Sequence, residues 1–327
     1  MKAVQFTKYG GPEVLEIVEL EKPTPEENEV VIEIKAIGVN YADTARREGQ
    51  YVVPTPLPFV PGAEVAGVVV EVGSAVTSIE VGAKVVTLLG TKKATGYAEY
   101  TIADERGLIP LPDGVDFNEA VALPLQGLSA YHVLKTMGRL EEGETVLVHA
   151  AAGGVGTIAV QLAKLFGAGK VIATASTKEK LDLAKELGAD VLINYTEDDW
   201  VEQVKAATGG KGVDVALEMV GGKVFNQTME CLATFGRLVV FGAASGEQSK
   251  LNPSLLMGRN QSVIGFFLPQ IMRKPALLQQ SLIELLTYLQ KGQLKLIVGG
   301  VYPLDDAVNV HKLLQSRQTQ GKLVLVP

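Results

Sequence analysis

The first 122 residues of the chain alternate short apolar runs with turn-forming residues. Four runs rich in Val, Ile and other β-forming residues occupy 29–39, 64–73, 83–90 and 97–104. Gly and Pro separate these runs, and Pro110, Pro112 and Gly114 punctuate the end of the region. Short strands at this spacing are typical of a β-barrel or a β-sandwich.

Beyond that region, buried-strand patterns alternate with helical patterns. Strands are predicted at 145–150, 171–175, 191–195, 213–220 and 237–242, with helices at 155–166, 178–188, around Trp200 and Val204, and at 224–236. The first helix carries its apolar residues along one face, and Gly167 ends it. This alternation predicts an α/β doubly wound parallel sheet. A strand at 262–267, a long helix near 275–290 and a strand at 322–326 complete the chain.

Composition narrows the class of protein. A chain of 327 residues is expected to form about two domains, and 47% hydrophobic with 20% charged residues fits a globular protein. The net charge of −7 argues against nucleic acid as the main partner. The sequence shows neither a signal peptide core nor an apolar run long enough for a membrane helix. Because Cys231 is the single cysteine, we expect a reducing, cytoplasmic location and no membrane association.

The segment VLVHAAAGGVG, at 146–156, changes from β-forming residues to alanines and glycines at the point where a strand is expected to turn into a helix. Its spacing is Ala151-x-Gly153-x-x-Gly156, with alanine at the first glycine position of a dinucleotide fingerprint. Such glycines allow a tight turn, close approach of a pyrophosphate and helix-on-strand packing. The pattern therefore predicts a dinucleotide site; the alternative is a tight turn that binds nothing.

The end of the next strand bears on which nicotinamide cofactor is bound. Sites for NAD usually carry Asp or Glu there to bind the ribose 2′-hydroxyl. Here the position falls at Ala175, and Ser176, Lys178 and Lys180 follow it. The missing acid and the nearby bases favour the 2′-phosphate of NADPH, unless the two lysines are ordinary solvated helix residues.

Several longer segments resemble one family. HAAAGGVG, PGAEVAGVV (61–69), GSAVTSIEVGAKVV (73–86) and SRQTQGKLVLVP (316–327) together are similar to the medium-chain dehydrogenase/reductase superfamily, in its zinc-free NADPH:quinone oxidoreductase branch related to zeta-crystallin. The resemblance implies a GroES-like β-barrel catalytic domain formed by 1–122 and 265–327, and a Rossmann NADPH-binding domain at 123–264. It also implies a homodimer paired through the sheet edge around 261–267.

The resemblance further implies a set of cofactor-binding residues. Each part of the family's cofactor site corresponds to a group of residues in this chain. The pyrophosphate turn corresponds to Ala152, Gly153, Gly154 and Val155, and the surroundings of the 2′-phosphate to Ser176, Lys180, Tyr195 and Arg317. The loops beside the ribose and nicotinamide correspond to Gly242, Ala243, Ala244, Phe266, Phe267 and Leu268, and a hydroxyl near the nicotinamide amide to Ser129.

On the substrate side, the segment 39–51 matches the family's substrate loop. Asn40 and Asp43 match positions that line the nicotinamide, which makes them the candidate catalytic residues. Asn40 can donate a hydrogen bond to a carbonyl or cap the loop, and Asp43 can contact substrate or anchor the loop. Where some relatives carry a tyrosine this chain has Ala45, and Tyr41 or Tyr51 is a possible replacement.

Metal binding is not expected. Zinc-dependent relatives carry a His-Glu pair where this chain has Gly62-Ala63-Glu64, and tetrahedral zinc needs three or four Cys, His or carboxylate ligands. Cys231 is at helical spacing with apolar neighbours and is interpreted as a core residue. Without a Lewis acid, hydride transfer suits acceptors that delocalise charge, such as quinones or α,β-unsaturated carbonyls.

Two classes of function remain open at this point. The first is an NADPH-dependent quinone reductase, with an enone, enal or enoyl-thioester reductase as the alternative acceptor class. The second is an NADPH-binding protein without catalysis: a sensor, a structural protein or an RNA-binding relative. The net charge of −7 argues against RNA as the main partner, and both classes bind a small molecule.

Overall fold

The computed structural model of the chain describes residues 1–89, 95–112 and 114–327. The strands are β1 Lys2–Gln5, β2 Glu16–Glu19, β3 Glu29–Val39, β4 Glu64–Val72, β5 Lys84–Leu88, β6 Tyr100–Asp104, β7 Leu108–Pro110, β8 Thr145–Val148, β9 Lys170–Ala175, β10 Val191–Asn194, β11 Val213–Glu218, β12 Leu232–Val240, β13 Ser262–Gly265, β14 Val298–Pro303 and β15 Lys322–Val326. The α-helices are α1 Tyr41–Arg47, α2 Phe117–Ala120, α3 Pro124–Tyr131, α4 Gly154–Leu165, α5 Lys178–Glu186, α6 Trp200–Ala207, α7 Gly222–Cys231, α8 Ser254–Met257, α9 Leu268–Met272, α10 Pro275–Gln290 and α11 Ala307–Gln315.

The chain divides into two compact units. The first combines Met1–Leu125 with Leu296–Pro327, and the second is Gln126–Lys295. The first boundary lies close to the predicted one, whereas the chain returns to the first unit after Lys295 rather than at 265. In the second unit, His132 Nε2 lies 3.2 Å from Ser281 Oγ, and Lys135 binds Glu284 at 2.7 Å. These contacts hold α10 against the helical segment His132–Met137 of the second unit, which a strand-and-helix pattern along the chain does not show.

The first unit is built on a mixed sheet, in which β14 and β15 pair in parallel and the other described pairs are antiparallel. Its strand order among the described residues is β14-β15-β3-β4-β5-β7, and β6 pairs with β3. The C-terminal strand β15 thus lies between β3 and β14, so the last residues of the chain complete a sheet begun by the first. The end of the predicted strand 83–90, Gly90, lies outside the described residues.

One segment of this unit differs from its prediction as a loop. Tyr41–Arg47 forms α1, directly after β3. Asn40 is the N-cap in extended conformation, and Asp43 Oδ2 accepts a hydrogen bond from the Asn40 N–H at 2.9 Å. Ala, Arg and Asp in this segment also tolerate a helix, so this N-terminal cap and burial of the helix decide the conformation.

The second unit, every residue of which the structure describes, contains a parallel sheet in the order β10-β9-β8-β11-β12-β13. Every neighbouring pair is parallel, which gives the strand order of a doubly wound dinucleotide-binding sheet. The predicted helix 224–236 ends at Cys231 instead, because Leu232 pairs with Val213 and starts β12. Phe235 there adopts a positive φ of 63° at an irregularity in the strand.

Among the described residues, no helix is both long enough and apolar enough to cross a lipid bilayer.

Candidate functional site

The glycine-rich turn connects β8 to α4 at the carboxyl edge of the parallel sheet. The Ala151 N–H donates to the Thr174 carbonyl at 3.0 Å, which ties the turn to the end of β9. The Gly153 N–H donates to the Ala150 carbonyl at 2.8 Å, and Ala150 adopts φ 48°. The turn is therefore tight, and Gly153 becomes the N-cap of α4.

The three glycines of this turn differ in how much space is available for a side chain. A Cβ at Gly156 would lie 2.2 Å from the Ala150 carbonyl oxygen and 2.8 Å from the Ala151 Cα, so α4 packs directly on the turn backbone. A Cβ at Gly154 would meet the amide of Gln126, and a Cβ at Gly153 meets only the Ala150 oxygen, at 3.2 Å. The glycine required for helix packing is thus the last one of the fingerprint.

The start of α4 suits a bound anion. The first N–H groups of a helix have no partner within the helix, and the helix dipole is positive there. The first turn of α4 contains no acidic residue, and neither Gly154 nor Val155 carries a polar side chain; the Gln126 amide lies beside Gly154. The predicted residues Ala152 to Val155 therefore form a backbone cradle of the type that binds pyrophosphate.

The predicted 2′-phosphate residues meet at the next two strand ends. Asn194 of β10 pairs with Ala175 of β9, and the Tyr195 N–H donates to the Ala175 carbonyl at 3.2 Å. This places Tyr195 and Ser176 side by side at the sheet edge. Lys180 lies in the first turn of α5, its backbone N–H bound to Thr177 Oγ1, and partial burial lowers the pKa of its ammonium group.

The structure separates the two candidate lysines. The side chain of Lys178 is 81% exposed and forms an ion pair with Asp182 at 2.6 Å. Lys178 is therefore an ordinary solvated helix residue, whereas Lys180 is partly covered. The alternative left open by the sequence, an ordinary solvated helix lysine, therefore applies to Lys178.

The remaining predicted cofactor residues of the second unit follow the other strand ends. Gly242 to Ala244 lie after β12, where the Ala244 N–H donates to the Met219 carbonyl at 2.9 Å. Phe266 to Leu268 lie after β13, and the Phe266 ring stacks on His132 with centroids 6.4 Å apart. Ser129 is a buried residue of α3. Apart from Ser129, these residues all stand at the edge that carries the glycine turn, since strand ends of a parallel sheet share one edge.

Asn40 and Asp43 belong to the first unit, as does Arg317, which follows α11 with φ 59°. Asp43 is buried, and its carboxylate accepts hydrogen bonds from the backbone N–H groups of Asn40 at 2.9 Å and Gly62 at 3.3 Å. Burial raises the pKa of Asp43 to about 6, although both hydrogen bonds oppose the shift. Asp43 therefore anchors α1 to the segment before β4.

A buried charge cluster around Asn40 was missed by the sequence analysis. Lys322 forms an ion pair with Glu64, and both side chains are fully buried. Asn40 Oδ1 accepts from Lys322 Nζ at 2.8 Å, while Asn40 Nδ2 donates to Glu64 Oε1 at 2.8 Å and to the Gly38 carbonyl at 3.2 Å. The Leu125 N–H binds the second oxygen of Glu64 at 2.8 Å. The Glu64 oxygens therefore have protein partners, and both amide hydrogens of Asn40 are used.

The candidate metal ligands are dispersed. Among the described ranges, the structure contains no group of three or more His, Cys, Asp and Glu residues that would hold a metal ion. Cys231 is buried in the apolar core of the second unit, and burial raises the pKa of its thiol to about 12. His149 lies between the hydroxyls of Thr174 and Thr228, at 2.9 and 2.8 Å.

Two family models match the chain. The alcohol dehydrogenase GroES-like domain matches residues 26–113, and the zinc-binding dehydrogenase domain matches residues 154–287. Quinone oxidoreductase 1 of Escherichia coli strain K12 is 38% identical over 99% of both proteins. The quinone oxidoreductase of Pseudomonas aeruginosa is 37% identical over 100% of this chain and 99% of the relative. The solved structure of Escherichia coli quinone oxidoreductase complexed with NADPH matches with a TM-score of 0.94 and 38% identity over the whole of both chains.

Proposed function

Because this chain belongs to the quinone oxidoreductase branch of the medium-chain dehydrogenase/reductase superfamily, we propose that it is an NADPH-dependent quinone oxidoreductase. The α/β fold class predicted from sequence, a GroES-like domain with a Rossmann-type parallel sheet, is confirmed by the family matches. The observation that carries the function is a pair of features at one sheet edge. The N-terminus of α4 has no acidic residue in its first turn, and the end of β9 has Ala175 in place of an acid, with Lys180 following it.

The residues present fit NADPH. The pyrophosphate is assigned to the turn Ala152 to Val155, with the N–H groups of Gly154 and Val155 as donors, because the Gly153 N–H already binds the Ala150 carbonyl. The 2′-phosphate is assigned to Ser176, Lys180 and Tyr195. When bound, NADPH supplies the hydride. The protein contributes a fixed binding register, because a turn hydrogen-bonded to Thr174 and packed against Gly156 cannot easily shift.

On the acceptor side, the proposal gives Asn40 a positioning role. Its amide hydrogens already bind Glu64 and Gly38, so donating one to a carbonyl would break a buried hydrogen bond. Asn40 and Asp43 together hold the first turn of α1. The negative charge that follows hydride transfer is spread over the quinone, and water, directly or through a hydroxyl group, supplies the final proton.

We further propose that no metal ion takes part. The cluster that replaces the zinc ligands of related dehydrogenases holds an internal cation, the Lys322 ammonium, against Glu64. Activity is therefore expected to survive treatment with a strong chelator. A loss that added zinc reverses would overturn the metal-free proposal.

The deciding experiment measures oxidation of NADPH and NADH against a quinone, a 2-alkenal and an enoyl thioester. The proposal expects turnover with NADPH and the quinone to exceed that of the other pairs. Faster turnover of the alkenal or thioester would assign a double-bond reductase. Tight NADPH binding without turnover of any acceptor would assign a non-catalytic protein.

The assembly is proposed to be a cytoplasmic homodimer. In the fully described second unit, β13 forms a sheet edge because it pairs only with β12. Phe235, Leu255 and Met257 in the same unit are between 66% and 73% exposed, which is unusual for large apolar side chains. Light scattering should give twice the mass of one chain, and Val263→Lys in β13 should give a monomer. A wild-type monomer would reject this assignment.

A further inference from the structure

His149 is the first residue after β8 and leads the chain into the glycine turn. The ladder that joins β8 to β9 ends with the pair Val148 and Ala173. Beyond that pair, two hydrogen bonds continue the contact. The Ala151 N–H donates to the Thr174 carbonyl at 3.0 Å, and the Thr174 hydroxyl lies 2.9 Å from His149 Nδ1. Both the backbone and the side chain of Thr174 are therefore held from the β8 side.

The other ring nitrogen of His149 is bound to α7. Its Nε2 lies 2.8 Å from the Thr228 hydroxyl, which itself donates to the Val224 carbonyl at 2.7 Å. The Trp200 ring packs edge-on against the imidazole, with the ring centroids 5.4 Å apart. His149, Thr174 and Thr228 are all buried. The imidazole thus joins the ends of two neighbouring strands to a helix.

These contacts fix the position of the imidazole proton. The Thr228 hydroxyl has one hydrogen, which it donates to Val224, so its oxygen can only accept from His149 Nε2–H. Burial lowers the pKa of His149 to about 4, so the ring is neutral at neutral pH and Nδ1 has no proton. Nδ1 therefore accepts the hydrogen of the Thr174 hydroxyl. The hydrogen bonds run in one direction, from Thr174 to the backbone of α7.

Thr174 lies between the two parts of the proposed cofactor site. Its carbonyl binds the Ala151 N–H of the glycine turn. It is followed closely in the chain by Ser176, which with Lys180 and Tyr195 forms the proposed 2′-phosphate corner. A hydrogen bond to its side chain therefore fixes this corner relative to the turn. In the proposed site NADPH contacts both parts, so their alignment determines whether both phosphate groups bind at once.

We propose that His149 is a positioning residue of the cofactor site, which acts through Thr174 to hold the glycine turn and the 2′-phosphate corner in register. The imidazole needs no contact with cofactor or acceptor for this role. The role rests on the proposed function, since it concerns the binding of NADPH. Loss of the link to Thr174 is expected to weaken NADPH binding more than NADH binding, because NADH has no 2′-phosphate to place.

Thr174→Val and Thr228→Val form a matched pair of variants. Each removes the hydroxyl of a fully buried threonine that binds the same imidazole. Thr174→Val breaks the link to β9, whereas Thr228→Val leaves it in place, with the ring proton on either nitrogen. Fluorescence titration should give an about three- to tenfold higher Kd for NADPH in Thr174→Val, as expected for one lost hydrogen bond, and a change below about twofold in Thr228→Val. Equal effects of the two variants would overturn the proposal.

The Kd for NADH separates the coupling from damage to the turn. In Thr174→Val it should rise less than the Kd for NADPH, so that the preference for NADPH falls. Gly156→Ala disturbs the turn that both cofactors share, so it should raise both Kd values by a similar factor. Equal rises for the two cofactors in Thr174→Val would reject the coupling of turn and corner.

Variants at His149 provide a rescue test. The amide of His149→Gln offers one donor and one acceptor, as the neutral imidazole does, so this variant should retain most of the NADPH affinity. His149→Leu offers neither and should bind NADPH at least as weakly as Thr174→Val. Equal losses of affinity in the two variants would contradict a role for the hydrogen bonds.

Hydrogen exchange tests the link without any cofactor. The Ala151 amide should exchange several-fold faster in Thr174→Val than in the wild type or in Thr228→Val, because its acceptor is less firmly held. An unchanged rate in Thr174→Val would overturn the link. If the wild type bound neither NADPH nor NADH, the proposed function would fail, while faster exchange would still support the link. Faster exchange with an unchanged Kd for NADPH would reject the positioning role.

Discussion

Replacement of Gly156 by alanine is the sharpest test of the dinucleotide turn. In an open helix this change would gain about 1 kcal/mol, because alanine has the higher helix propensity. Here the new Cβ would lie 2.2 Å from the Ala150 oxygen and 2.9 Å from the Ala151 carbonyl carbon. Both are backbone atoms that cannot rotate away. The start of α4 must therefore move by about 1 Å to restore a normal contact.

The shift has two measurable consequences. Overpacking of a rigid site costs about 1–3 kcal/mol, which cancels the propensity gain or exceeds it. Misalignment of one helix N–H group with a phosphate loses about 1.5–3 kcal/mol, or roughly a ten- to hundredfold higher Kd for NADPH. Fluorescence titration with NADPH and urea unfolding measure the two effects on the same protein.

Neighbouring glycines provide matched controls. Gly153→Ala makes one contact, at 3.2 Å, so it should change the Kd much less. Gly154→Ala meets the flexible end of Gln126, which can move aside, and should be intermediate. If Gly156→Ala bound NADPH like the wild type and resisted urea better, the packing of α4 on the turn would not govern the site.

Further perturbations address the cofactor corner, the buried ion pair and the acid response. Lys180→Ala should raise the KM for NADPH several-fold and leave the KM for NADH nearly unchanged. The effect is only several-fold because solvent screening weakens the charge-assisted hydrogen bond to the 2′-phosphate. Equal effects on the two KM values would count against a 2′-phosphate contact. Lys322→Met should lower the free energy of unfolding by about 3–5 kcal/mol, because it leaves the buried Glu64 carboxylate without its partner. Adding Glu64→Gln should recover much of this loss. A double variant no more stable than Lys322→Met would contradict the prediction. Burial lowers the pKa of His149 to about 4, so the folded imidazole is neutral while the unfolded one gains a proton below about 6.5. Stability due to His149 is therefore lost as pH falls from 6.5 toward 4, and His149→Gln should reduce the slope of unfolding free energy by up to about 1.4 kcal/mol per pH unit; an unchanged slope in urea unfolding would show that His149 does not titrate there.

The family resemblance implied a loop at 39–51, and the local pattern gives no sign of the helix that the structure has there. The segment contains two arginines, an aspartate and a threonine, and its exposed and buried positions do not form a simple apolar stripe. In the fold, Arg46 and Arg47 are buried and Asp43 closes the first turn. Their burial depends on partners such as His311 that are far away in the sequence. A helix stabilised by such contacts has no local hydrophobic signature.

The return of the chain to the first unit after Lys295 and the Lys322 cluster likewise depend on contacts between distant segments. Lys322 looks like a surface lysine at the start of a terminal strand, yet β15 pairs with β3 and brings it against Glu64 and Asn40. Lys322 is 282 positions from Asn40 and 258 positions from Glu64 along the chain. Only strand pairing places them together.

The sequence by itself determined the alternating strands and helices, the glycine turn and the absence of an acid at the end of β9. These features depend on local geometry, since a tight turn, a strand's period and a helix terminus each involve few neighbouring residues. The tertiary structure decided which lysine is partly buried, which amide hydrogens are already used and which carboxylate is paired with a buried lysine. Those properties depend on desolvation and on hydrogen-bond partners brought together from distant segments, so they exist only in the folded chain.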